Sequence, residues 1–111
     1  MYSKVLLLLF ILVPLPAYSE ASDFDKMCGY FEKLDNALTT KKMTKSQKAA
    51  FISKLVIENL EVNSSARKTW EVVLYAVPEE RYEMVQSTAT ELLKKNWQCD
   101  VMKKYISMTG E

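Results

Sequence analysis

A chain of 111 residues with two Cys, two Gly, three Pro, no His and a formal net charge of +1 is the length of one small domain. The absence of histidine excludes a Ser-His-Asp triad, a Cys-His nucleophile pair, imidazole metal ligands and an imidazole proton switch. At 49% hydrophobic and 11% aromatic residues the chain has the apolar material for a core, and its few glycines and prolines leave too little turn chemistry for an all-β fold, so helices are expected.

The chain opens MYSKVLLLLFILVPLPAYSEA. Lys4 is a short positive region, Val5 to Val13 is an unbroken apolar run, and Pro14 and Pro16 end it ahead of the small residues Ala17 and Ser19. This is the layout of a secretory signal peptide with cleavage before Glu20, and the run is about half of the roughly 20 residues a membrane span requires. Residues 1–19 are therefore read as a leader and residues 20–111 as a single helical domain, periplasmic or secreted, with no stable membrane insertion after cleavage. Loss of Lys4 with the leader makes the basic residues equal in number to the 14 acidic ones. A neutral exported domain has no electrostatic case for binding nucleic acid.

Cys28 and Cys99 are the only thiols. In an oxidising compartment they are expected to form one structural disulfide, and the Cys-x-x-Cys spacing of a redox pair is absent.

Phe24, Met27, Cys28, Phe31, Leu34 and Leu38 fall on one face of a first helix, with Ser22 or Asp23 as its cap. The polar linker Thr39-Thr40-Lys41-Lys42 leads to Thr44, which with Gln47 has the spacing of a capping box for a second helix running to about Leu60. That helix carries two apolar stripes, Ala49, Ile52, Val56 and Leu60 on one and Phe51 and Leu55 on the other; a central place in the bundle is the favoured reading, a partner-binding face the other. Glu58 with Glu61, and Glu32 with Asp35, are i, i+3 carboxylate pairs that read as solvated surface among lysines. Asn63-Ser64-Ser65 is a turn, also a chance match to a glycosylation pattern, that caps a third helix over residues 66–77. Residues 72–77 are rich enough in β-branched and aromatic types for a strand, but Trp70, Val73 and Val77 at helical spacing favour helix. Pro78, Glu79 and Glu80 suit the start of a fourth helix with Tyr82, Val85, Ala89, Leu92 and Leu93 inward. Met102 and Ile106 fall off that stripe, so a break is expected near Asn96-Trp97-Gln98, followed by a short fifth helix with Cys99, Met102 and Ile106 inward. The fold class is thus all-α, a bundle of four to five helices closed by a Cys28–Cys99 disulfide between the first and last.

No catalytic residue, metal site or cofactor site is expected. The Ser-Lys neighbours, Ser3-Lys4 and Ser53-Lys54, point apart on a helix or lie in the leader, and no Gly-rich phosphate loop, calcium loop or metal-spaced cluster is present. The remaining class is a non-enzymatic protein that binds another envelope or secreted protein. Its candidate contact residues are Phe51 and Leu55 with Met43 nearby, or the aromatic set Tyr75, Tyr82 and Trp97. In plan, being small, exported, helical and closed by one disulfide, the chain is similar to periplasmic acid-stress chaperones. That resemblance of architecture implies an alternative function, exposure of apolar surface when carboxylates protonate at low pH.

Overall fold

The computed structural model describes residues 15–108, with side chains from residue 23 to residue 107. Residues 1–14 of the expected leader lie outside the described residues. Five α-helices follow in order, α1 (Leu15–Ala37), α2 (Lys45–Asn59), α3 (Ser65–Val73), α4 (Arg81–Leu93) and α5 (Asp100–Tyr105), and there is no strand among the described residues.

The predicted stripe of α1 is the centre of the core, with Phe24, Met27, Phe31 and Leu34 fully buried and Cys28 half-buried at its edge. The helix does not begin at a Ser22 or Asp23 cap. It runs through both from Leu15, because Pro16 is tolerated in a first turn and no later residue breaks the ladder; Asp23 instead faces Lys26 at 3.9 Å.

α2 begins where the capping box places it. Gln47 N–H donates to Thr44 Oγ1 at 3.1 Å and Thr44 N–H donates to Gln47 Oε1 at 2.9 Å. Ile52, Val56 and Leu60 are buried, while Phe51 and Leu55 are half-buried along the margin of the core. The central element is α1 rather than α2, since α1 packs against α2, α3, α4 and α5 in turn.

α3 starts on the Ser64 cap, which accepts from Arg67 N–H at 3.1 Å, and ends at Val73, four residues short of the expected Val77. Pro78 holds Val77 extended at φ −62° and ψ 142°, so the helix must unwind first, and Tyr75 and Ala76 tighten the exit by donating to Val72 and Val73. Trp70 and Val73 remain core, whereas Val77 is 53% exposed.

One 3-10 turn, Pro78–Glu80, leads into α4. Val85 and Ala89 are buried and Tyr82 and Leu93 half-buried, but Leu92 is exposed and the first residue of the helix, Arg81, is buried. The expected break is present and opens at Lys94, which takes the left-handed conformation (φ 58°, ψ 36°) and turns the chain out of α4. α5 and a terminal 3-10 turn, Ile106–Met108, bury Cys99, Met102, Tyr105 and Ile106. The disulfide joins Cys28 of α1 to Cys99 at the start of α5, with Cα atoms 5.9 Å apart.

Candidate functional site

The six residues singled out as contact candidates separate into three environments. Trp97 is not a surface residue. It is 4% exposed, its ring meets Phe24 edge-to-face at 6.0 Å, and its indole N–H donates to Asp25 Oδ1 at 3.1 Å. Both the apolar body and the polar tip of the ring are satisfied inside the fold. Tyr82 is half-buried and committed structurally, its hydroxyl accepting from Cys99 N–H at 2.8 Å. Tyr75, on the turn after α3, is 93% exposed.

Met43 and Phe51 come together. The connection before α2 and one face of that helix border a shallow open groove of about 300 Å³. Met43, Phe51 and the exposed Ala50 supply its apolar lining, and the exposed Lys41, Lys42 and Lys54 border it. Gln47, Ala50, Phe51 and Lys54 share this face because they repeat at helical spacing. Met43 and Phe51 are partly buried and pack on the core beneath. Leu55 packs on the core beside this groove and does not line it.

Other hollows are found among the described residues. One of about 460 Å³ beside α4 and the C-terminal turn is lined by Tyr82, Glu83, Lys103 and Ile106 among others, and one of about 220 Å³ between α3 and α4 is lined by Val72, Val73 and Met84. Both cysteines are in the disulfide. Among the described residues no group of three or more Cys, Asp or Glu side chains is placed to hold a metal ion, and no helix is long and apolar enough to cross a membrane.

The last segment of the chain is held on α1 by more than the disulfide. Besides the Asp25–Trp97 bond, the Tyr105 hydroxyl donates a short hydrogen bond to Asp35 Oδ1, and Lys104 Nζ stands 3.6 Å from the same oxygen. The Tyr105 bond, aided by the Lys104 charge, holds the Asp35 carboxyl below the usual carboxylate range. The same bond pushes the Tyr105 phenol up, since an ionised phenol has no proton to donate. Asp35 and Glu32 had the pattern of solvated surface, and Asp35 is instead a latch. The signal that finds it is the disulfide itself: Asp25, Cys28, Glu32 and Asp35 lie on one line of α1, so a bridge at Cys28 lays the 97–105 segment along Asp25 and Asp35.

The sign of the pH effect follows from the two shifts. A carboxyl depressed in the folded state stabilises the fold above its ordinary pKa and loses that contribution as pH falls through the folded value. A raised phenol keeps its contribution below its ordinary pKa and loses it as pH rises through the folded value. The Asp35–Tyr105 latch therefore operates between about pH 4 and about pH 10. In Tyr105→Phe the Asp35 carboxyl is expected to titrate higher than in wild type, still lowered in part by Lys104, by carbon-detected NMR. The stability difference from wild type, present at pH 7, is expected to shrink as pH falls below about 4. An unchanged Asp35 titration would remove the latch from the account.

No protein-family model, curated protein or solved structure matches the chain.

Proposed function

We propose that this is a small exported protein without catalytic activity that acts by binding another protein of the periplasm or the extracellular space, and that the contact centres on the Met43–Phe51 groove. The observation that carries the reading is the groove itself: an apolar lining packed on the core yet open to solvent, on a helix face that no other element covers fully. Aromatic and methionine side chains in concave surroundings are the usual anchors of protein interfaces. Export is supported by the leader pattern at residues 1–19 and by a disulfide, which persists in oxidising compartments. A non-catalytic role is supported by the absence of histidine and by the engagement of both thiols.

The test is affinity recovery from envelope extracts with the tagged, oxidised protein. Ala50→Arg fills the groove from an exposed position and is expected to abolish recovery of the partner while leaving stability within about 0.5 kcal/mol of wild type. Phe51→Asp is expected to abolish recovery with some loss of stability, and Tyr75→Asp to leave both unchanged. If Tyr75→Asp is the variant that loses the partner, the site lies at the α3–α4 turn and the groove assignment fails. Recovery of nothing by wild type removes the binding reading.

A second reading, an acid-stress chaperone, is favoured by one observation: the α1 carboxylate Asp35, held below the usual carboxylate range, fastens the terminal segment through Tyr105, and protonation weakens that bond. A dye for exposed apolar surface, followed from pH 7 to pH 2, is expected to rise sharply if this is the role. A flat response excludes it.

A further inference from the structure

Between Asp35 and Glu58 the chain has five lysines, at positions 41, 42, 45, 48 and 54, and no acidic residue. Elsewhere Lys26 pairs with Asp23, Arg67 with Glu71 and Lys104 with Asp35, while Lys33, Lys68, Lys94 and Lys95 stand singly or in twos without an ion pair among the described residues. Lys41, Lys42 and Lys54, the three that border the groove, have no ion-pair partner among the described residues. The first turn of α2 has no acidic residue either, although carboxylates there would complement the helix dipole and stabilise the helix. What sets this region apart is the concentration of positive charge around an apolar hollow, with no acidic residue between Asp35 and Glu58.

We infer that the groove receives an acidic, amphipathic segment of a partner protein, which places an apolar side chain against Met43 and Phe51 while flanking Asp or Glu carboxylates pair with Lys41, Lys42 and Lys54. This rests on the protein-binding reading and adds the chemistry of the partner. The shape favours a peptide over an anionic bilayer. Met43 and Phe51 are drawn down onto the core and do not project, so they cannot enter a headgroup layer, whereas a concave hollow of about 300 Å³ has room for an inserted side chain. Polynucleotide is disfavoured because the chain beyond these five lysines carries 10 basic against 14 acidic residues and offers no continuous basic track for a phosphate backbone.

The experiment has two arms. In the first, the oxidised protein is titrated by nitrogen–proton NMR with a twelve-residue amphipathic helix bearing Leu and Phe on one face and Glu on either side, and with the same peptide carrying Gln for Glu. Shifts are expected to concentrate between Lys41 and Lys54. Affinity is expected to fall about tenfold with the Gln peptide, and equally with the triple variant Lys41→Gln, Lys42→Gln, Lys54→Gln, whose fold these exposed changes leave intact. Equal binding of both peptides, shifts centred elsewhere, no binding, or displacement of the Glu peptide by phosphatidylglycerol vesicles overturns the inference. In the second arm a photo-crosslinker replaces Ala50 in the full chain in cells, and the attached residues of the partner are mapped. Attachment to a segment with carboxylates on both sides of a large apolar residue supports the inference. Attachment to a segment without carboxylates overturns it while leaving the binding reading standing, and no protein adduct overturns both.

Discussion

Replacing both cysteines, Cys28→Ser with Cys99→Ser, is expected to lower stability by about 4 kcal/mol, the chain-entropy value for a bridge spanning 71 residues. For a domain of this size that is a fall of roughly 15–30 °C in melting temperature, measurable by far-ultraviolet circular dichroism against the oxidised wild type. The size of the effect follows from what the bridge closes. α5 has only six residues, too few to hold a helix without tertiary support, and it reaches α1 across the whole length of the folded chain. Native-state hydrogen exchange localises the loss: amides of residues 99–106 are expected to lose protection first, because without the bridge this short segment keeps its place only through packing and the bonds at Asp25, Asp35 and Arg81. A loss below about 1 kcal/mol would mean that the unfolded chain is already compact around these contacts and that the bridge stabilises little.

The second large effect belongs to Arg81, 3% exposed at the first position of α4. Its Nε donates to Ala76 O and its Nη1 to Ile106 O, each at 3.3 Å, so one guanidinium ties the α3–α4 connection to the C-terminal turn. Two effects oppose each other in Arg81→Leu. Removing a desolvated charge is favourable, and a buried ion exchanged for an apolar group of similar volume can be neutral. That neutrality requires both partners to go, and here the acceptors are backbone carbonyls that stay behind. Leaving them unpaired dominates, and Arg81→Leu is expected to destabilise by about 2–3 kcal/mol in urea unfolding. Arg81→Lys is expected to recover less than half of this, since a single ammonium cannot span two carbonyls with the fork geometry of guanidinium. Stability equal to wild type in Arg81→Leu would show that water or a shifted turn satisfies both oxygens.

What the sequence discloses about this fold is whatever is encoded locally. Thr44 and Gln47 mark the start of α2 to the residue because a capping box is complete within four positions, and the stripe of Phe24, Met27, Phe31 and Leu34 needs only helical spacing to declare its buried face. The fourth-helix stripe succeeds at Val85 and Ala89 and fails at Leu92, where the helix is about to turn away at Lys94. Trp97 shows the opposite limit. It lies in a break with no periodicity to interpret, and the acceptor that permits its burial, Asp25, is 72 positions upstream. Arg81 was concealed for the same reason, since the carbonyl of Ile106 that receives it is 25 residues away. Of the candidate site, Met43 and Phe51 were legible as apolar residues outside the main stripe. Whether they bordered an opening depended on how the connection at residues 41–43 folds back over α2, a tertiary fact with no local signature.

The place of α1 at the hub also sets an order of events. The hub is the first helix made, and the partners that cover it are made one after another, with α5, to which it is covalently joined, last. During synthesis Phe24, Met27, Phe31 and Leu34 are therefore covered in steps, by α2 first and by α5 last of the described helices. A chain stalled before residue 99 has no second thiol and leaves Cys28 open to a neighbouring molecule. The joining of Cys28 to Cys99 thus marks chains made through residue 99, separating them from shorter ones by a single covalent event.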